Sequence, residues 1–157
     1  MGNFESKRSE MIKKKNDFII KSMEMNDYIE NLDKKRSDVE EGISRIPDDL
    51  PEDLQGQVNA AIENTRNAIK EESQNLEKKA SDLEKEADEA MDLADNIASD
   101  LQNKSKRMSS LSGVPLIGSF AETKGEQLSN QAEQMIDLRR ETQEYQDKLA
   151  QQRNKLL

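Results

Sequence analysis

Phe4, Met11, Phe18, Met25, Leu32, Val39 and Ile46 follow one another at intervals of seven residues without a gap. An α-helix turns once in about 3.6 residues, so every seventh side chain returns to nearly the same face. An unbroken stripe of this kind commits the segment to one long helix that must lay its apolar face on a neighbour. A strand would need apolar side chains at every second position instead. Four residues on from each stripe position stand Arg8, Lys15, Ser22, Ile29, Arg36 and Ile43, so the second edge of the seam is mixed. Ile12, Ile19 and Ile20 widen the apolar face. The spacing predicts a helix from about residue 4 to about residue 45.

The first break is Ile46-Pro47-Asp48-Asp49-Leu50-Pro51. Two prolines in five positions end a helix, because each removes a donor and restricts the residue before it. Pro51 suits the first turn of a new helix, with Glu52 and Asp53 beside its positive end. Ile62, Ile69, Leu76, Leu83, Ala90, Ile97, Lys104 and Leu111 then repeat the seven-residue device. Their companions include Ala80, Ala87 and Ala94, small enough to let a neighbouring helix come close. The second break, Ser112-Gly113-Val114-Pro115-Leu116-Ile117-Gly118, offers Gly113 as a left-handed cap and Pro115 as a stop. Ser119-Phe120-Ala121-Glu122 reads as a capping box. Leu128, Met135, Thr142, Leu149 and Leu156 carry the third stripe.

The expected fold is therefore all-α: three long helices in an antiparallel, coiled-coil-like bundle with the middle helix longest. Its parts are helix one over 1–46 with a basic N-terminal end, and a long acidic helix two over 52–112. An apolar Gly/Pro loop over 113–118 and helix three over 119–157 complete one elongated domain. Short connections favour antiparallel neighbours. A strict period of seven implies left-handed supercoiling. Arg8, Lys15, Arg36 and Lys104 stand at seam positions and mark either a core two helices thick or a docking place.

Composition removes several chemistries. The 157 residues contain no Cys, His or Trp. Disulfides, thiolate metal sites and histidine-dependent triads are thereby excluded. Phosphate-cradling Gly-rich loops are missing, and a thin helical rod offers no concave pocket for paired carboxylates. No catalysis, cofactor or metal is expected. A net charge of -9 disfavours nucleic acid as a partner. No apolar run reaches the roughly 18 residues of a membrane span, and the start lacks a signal-peptide core. The expected location is cytoplasmic, with export lacking a cleaved signal, or peripheral membrane association, as alternatives.

Charge is unevenly distributed. Residues 1–46 hold ten basic and ten acidic groups, residues 47–112 hold eight and sixteen, and residues 113–157 hold six and seven. Asp88, Asp92 and Asp95 share one face of the acidic helix; the simplest reading is a solvated face, with a cation or a basic partner as alternatives. Lys7, Arg8, Lys13, Lys14, Lys15 and Lys21 make the start locally basic. Gly2, with Ser6 four residues on, fits a myristoylation pattern that those cations would support. Val114, Leu116, Ile117 and Phe120 form an apolar loop that is expected to cap the bundle end; the functional alternative is an exposed hydrophobic tip.

These features point to a non-enzymatic helical interaction module, an adaptor or chaperone-like accessory protein. It would complete a helical bundle with a helical partner, or with itself. Ile19, Met25, Ile29 and Leu32 in helix one, with Leu128, Met135 and Leu138 in helix three, are the candidate partner-binding residues. One alternative is a peripheral membrane protein using Gly2 and the basic start, or the apolar tip. Another is a homo-oligomeric structural rod. A third is an exported helical hairpin, since the general shape resembles small helical-hairpin proteins exported by Gram-positive bacteria. The Trp-x-Gly turn and Tyr-x-x-x-Asp/Glu tail of that group are missing, Tyr145 being followed by Leu149, and no family is assigned.

Overall fold

The computed structural model describes residues 3–156. It contains three long α-helices, α1 (Asn3–Ser44), α2 (Glu52–Ser109) and α3 (Gly118–Arg153), and α3 closes in a short 3-10 turn, Asn154–Leu156. The bundle is all-α and α2 is the longest helix. Its ends lie where the prolines demand. The Pro51 carbonyl accepts the Gln55 N–H (2.9 Å), and Glu52 and Asp53 occupy the first turn beside the positive end of the helix dipole.

The described residues form two compact units, each built from parts of all three helices. The first takes the chain up to Ile20 together with Glu84–Asp147. Its core gathers Met11 from α1, Ala90, Ala94, Ile97, Ala98 and Leu101 from α2, and Ala132 and Met135 from α3. The recurring alanines explain its tight packing, because Ala87, Ala90 and Ala94 are all but completely buried. Pairings within this unit run antiparallel between α2 and α3. The Ser105 hydroxyl donates to the Gly125 carbonyl (2.8 Å), Arg139 Nε meets Asp95 (2.8 Å), and Gln146 Nε2 donates to Asp88 (2.8 Å).

Lys15 is the polar seam residue that this core absorbs. It is buried, and its ammonium reaches the Glu141 carboxylate at 2.8 Å. Removing the acid leaves an ammonium without its partner, whereas removing the lysine for an apolar chain of similar length leaves a solvated carboxylate. Glu141 is nearly half exposed, so the effect is well below that of a fully buried pair. We expect Glu141→Ala to destabilise by about 1–2 kcal/mol and Lys15→Met to be neutral or stabilising, both read from urea denaturation.

The second unit takes Lys21–Leu83 and the chain from Lys148 on. Met25, Ile29 and Leu32 of α1, Ile69, Leu76, Ala80 and Leu83 of α2, and Leu149 and Leu156 near the C-terminal end are its buried apolar residues. Here α1 and α2 run antiparallel, with Arg66 holding Glu40 through two hydrogen bonds (2.9 and 2.8 Å) and Lys35 near Glu72 (3.5 Å). Arg36, the charged seam residue of this unit, has a definite task. One guanidinium nitrogen donates to the Lys155 carbonyl (3.1 Å) and another to the Ser73 hydroxyl (3.2 Å). The Ser73 hydroxyl in turn donates to the Leu156 carbonyl (2.7 Å). The last carbonyls of a helix lack intrahelical partners, and Arg36 and Ser73 together satisfy two of them. Arg36 and Ser73 thus hold the 3-10 turn Asn154–Leu156 against α1 and α2. Arg8 and Lys104, the other charged seam residues, are exposed.

Two local expectations change at the α2–α3 connection. Gly113 is not left-handed; the positive-φ residue there is Leu116, at 78°. The end of α2 tightens instead into successive i→i+3 turns, Leu111 N–H to Met108, Ser112 to Ser109 and Val114 to Leu111, which satisfy the last carbonyls without a left-handed glycine. Ser119 is also inside α3 rather than before it. The Val114 and Ile117 carbonyls accept the Gly118 and Ala121 N–H groups (2.8 and 2.9 Å), so the helix opens at Gly118 and no serine cap is required.

Candidate functional site

The seven candidate partner-binding residues divide by burial. Met25, Ile29, Leu32 and Met135 are core residues of this chain, covered by its own helices. Ile19 is half-buried, and so are Leu128 and Leu138, which pack against the core of the first unit. The apolar seam is thus largely saturated from within, and these side chains offer no open face. The sequence reading assigned these positions to a partner, and the chain's own helices cover Met25, Ile29, Leu32 and Met135 instead.

An open seam does exist, in the second unit. Beyond the turn where Arg36 and Ser73 hold the end of the third helix, α1 and α2 continue as a pair. Between them lies an apolar groove lined by Val39, Ile43, Ile46, Val58, Ala61 and Ile62. Val39, Ile43, Ile46 and Ile62 belong to the seven-residue pattern, yet they and Val58 stay half-buried. The surroundings are acidic. Residues 37–66 contain eight carboxylates and two arginines. Both arginines are already engaged, Arg45 by Glu41 and Arg66 by Glu40. The Arg66 hydrogen bonds, aided by its charge, hold the Glu40 carboxyl below the usual carboxylate range. The groove therefore presents apolar side chains within a field of negative charge. Sequence reading missed it because the stripe does not say at which register the third helix lies along the other two; the charged seam residue Arg36 was a sign that the core there is two helices thick.

The first unit carries a second open feature, the hairpin tip between α2 and α3. Val114, Leu116, Ile117 and Phe120 do not cap the bundle end, as expected from the sequence, but stand in solvent. Leu116 is fully exposed, Phe120 is 67% exposed, and Leu111 joins them at 38%. The hairpin behind them is tight. A Cβ added to Gly118 would lie 2.3 Å from the Ser112 carbonyl oxygen, and one on Gly125 would touch Ser105, Met108 and Ser109. Ala121 is buried in the same stretch. Backbone and small side chains therefore lie close together at the base of the hairpin. Leu116 also adopts a left-handed backbone, which costs a residue with a branched side chain about 1–2 kcal/mol.

Cations border this tip. Lys104, Lys106 and Arg107 precede it and Lys124 follows, and no acidic residue stands between Asp100 and Glu122. Lys104 pairs with Asp100 (3.0 Å). That hydrogen bond, with weaker attraction from Lys7 and Arg107, lowers the Asp100 pKa and places the basic start of α1 near the same carboxylate.

Gly2 lies outside the described residues. Asp88 and Asp95 of the acidic face are occupied with Gln146 and Arg139, and no cluster of ligating side chains suited to a metal occurs among the described residues. No described helix is long and apolar enough to cross a membrane. Comparison with protein-family models, with curated proteins and with solved structures found no match to the chain.

Proposed function

We propose that this protein is a non-enzymatic helical interaction module, an adaptor or chaperone-like accessory protein, that accepts a basic amphipathic helix of a partner in the Val39–Ile62 groove. One observation carries the reading. The groove continues an apolar stripe that elsewhere in its unit is covered by the third helix, and here it is uncovered. A helix laid along Val39, Ile43, Ile46, Val58 and Ile62 would complete the bundle by the same knobs-into-holes packing. The acidic surroundings select the occupant's charge. A helix with Lys and Arg flanking its apolar stripe is attracted, and an acid-flanked one is repelled.

The test uses two synthetic helices with the same leucine stripe, one flanked by lysine and one by glutamate. We expect the lysine helix to bind with a dissociation constant on the order of micromolar, weakening with salt, and to shift the methyl resonances of Val39, Ile43, Val58 and Ile62. The glutamate helix should leave them unmoved. Asp38→Lys with Glu63→Lys changes only exposed side chains, so the fold survives, and affinity for the lysine helix should fall about tenfold. Equal binding of both helices, or shifts spread away from the groove, would overturn the proposal.

A further inference from the structure

The hairpin tip combines three observations that the groove does not use. Five apolar side chains, Leu111, Val114, Leu116, Ile117 and Phe120, are exposed within ten residues of one another. Leu116 is held outward by a left-handed backbone that favours glycine over leucine. The flanking stretch from residue 101 to residue 125 carries four cations and one carboxylate, in a chain whose net charge is -9. A strained position that presents a large apolar side chain to water points to a surface on which that side chain is buried in use. We infer that this tip docks on an anionic lipid bilayer, with Leu116, Ile117 and Phe120 entering the headgroup–acyl boundary and Lys106, Arg107 and Lys124 resting on the headgroups.

The chemistry favours a bilayer over a protein surface. The apolar groups are exposed on the connection between two helices, Leu116 completely so, and flanking cations accompany them, a combination that suits a medium they can enter. The cations flank the apolar segment on both sides in the chain, Lys104, Lys106 and Arg107 before it and Lys124 after it. Apolar insertion and electrostatic attraction to acidic lipid reinforce each other, and either alone gives weak binding.

The experiment is flotation of the full chain with vesicles of phosphatidylcholine alone and with about a third phosphatidylserine. Recovery with vesicles should require phosphatidylserine and fall as salt rises. Leu116→Glu with Ile117→Glu should abolish it, and Lys106→Glu with Arg107→Glu should weaken it about tenfold or more. All four side chains are exposed, so the melting temperature serves as a check that each variant is folded. The chain has no Trp, which makes Ile117→Trp a single fluorophore. Its emission should shift to the blue with anionic vesicles and stay unchanged with neutral ones. Recovery independent of phosphatidylserine, or unaltered by the double glutamate variant, overturns the inference. So does a mass that doubles with concentration, without vesicle binding, and reverts in Leu116→Glu, since the tip then covers a second copy of the chain.

Discussion

A chain ending at Ser112, without α3, loses the cooperative melt of the first unit. In the intact chain Ala132 and Met135 of α3 join Ala90, Ala94, Ile97, Ala98 and Leu101 in one core, with Leu128, Ile136 and Leu138 packed on its flank. Removing α3 uncovers that face of α2 to water. What is left is α1 on α2, two helices whose shared surface is largely alanine on the α2 side. Alanines allow close approach, but each buries little apolar area, so the stabilisation of a two-helix remnant is small against the entropy of ordering it. Secondary structure would persist as fraying helix without a sharp transition, because long helices in proteins rely on tertiary packing more than on propensity. Circular dichroism against temperature checks this. A melt as sharp as that of the whole chain would mean that α3 contributes nothing to the core.

Phe18→Ala is expected to be the most damaging single substitution in the core. Phe18 is the largest of the fully buried side chains, at 1% exposure. Its removal forfeits the transfer free energy of a benzyl group and leaves a cavity that rigid helices close only in part. Substitutions of this type cost about 3–5 kcal/mol. Whole domains of this size are stable by about 5–15 kcal/mol, so the variant would sit close to its folding limit. At about 2–4 °C per kcal/mol, the midpoint should fall by about 6–20 °C. Met23→Ala, which trims an exposed side chain of the same helix, should stay within about 0.5 kcal/mol of the parent. If the two variants melted alike, the burial that distinguishes positions 18 and 23 would not describe the protein in solution.

Both outcomes bear on the proposed activities without deciding them. The groove belongs to one unit and the tip to the other, so loss of α3 should disturb the second feature directly. Asp38→Lys with Glu63→Lys tests the groove alone, and Leu116→Glu with Ile117→Glu tests the tip alone.

Much of the architecture is legible in the chain. The three seven-residue stripes specify three helices, because a face repeated at that interval can be hidden only by a helix lying on another. Pro47, Pro51 and Pro115 specify the two connections, and the observed helix ends fall within three residues of the positions expected from them. The alanines of α2 announce a close neighbour, and the burial of Ala80, Ala87 and Ala94 follows. Tertiary structure alone decided which stripe meets which, and where covering stops. A stripe states that its side chains will leave water and does not state what will cover them. Hence Met25, Ile29, Leu32 and Met135 belong to the core and not to an open face, while Val39, Ile43 and Ile62, of the same chemical kind, line a groove. Arg36 reads from the sequence as a sign of a core two helices thick or of a docking place, and its partners, the Lys155 carbonyl and the Ser73 hydroxyl, are set only by packing. At the tip, Gly118 lies close against Ser112 and Leu116 and Phe120 stand in solvent, an outcome of the local backbone path that the order of residues does not state. Periodicity is a local property and is written in the order of residues. Coverage depends also on the registers at which three helices lie on one another, and those exist only once the helices have packed.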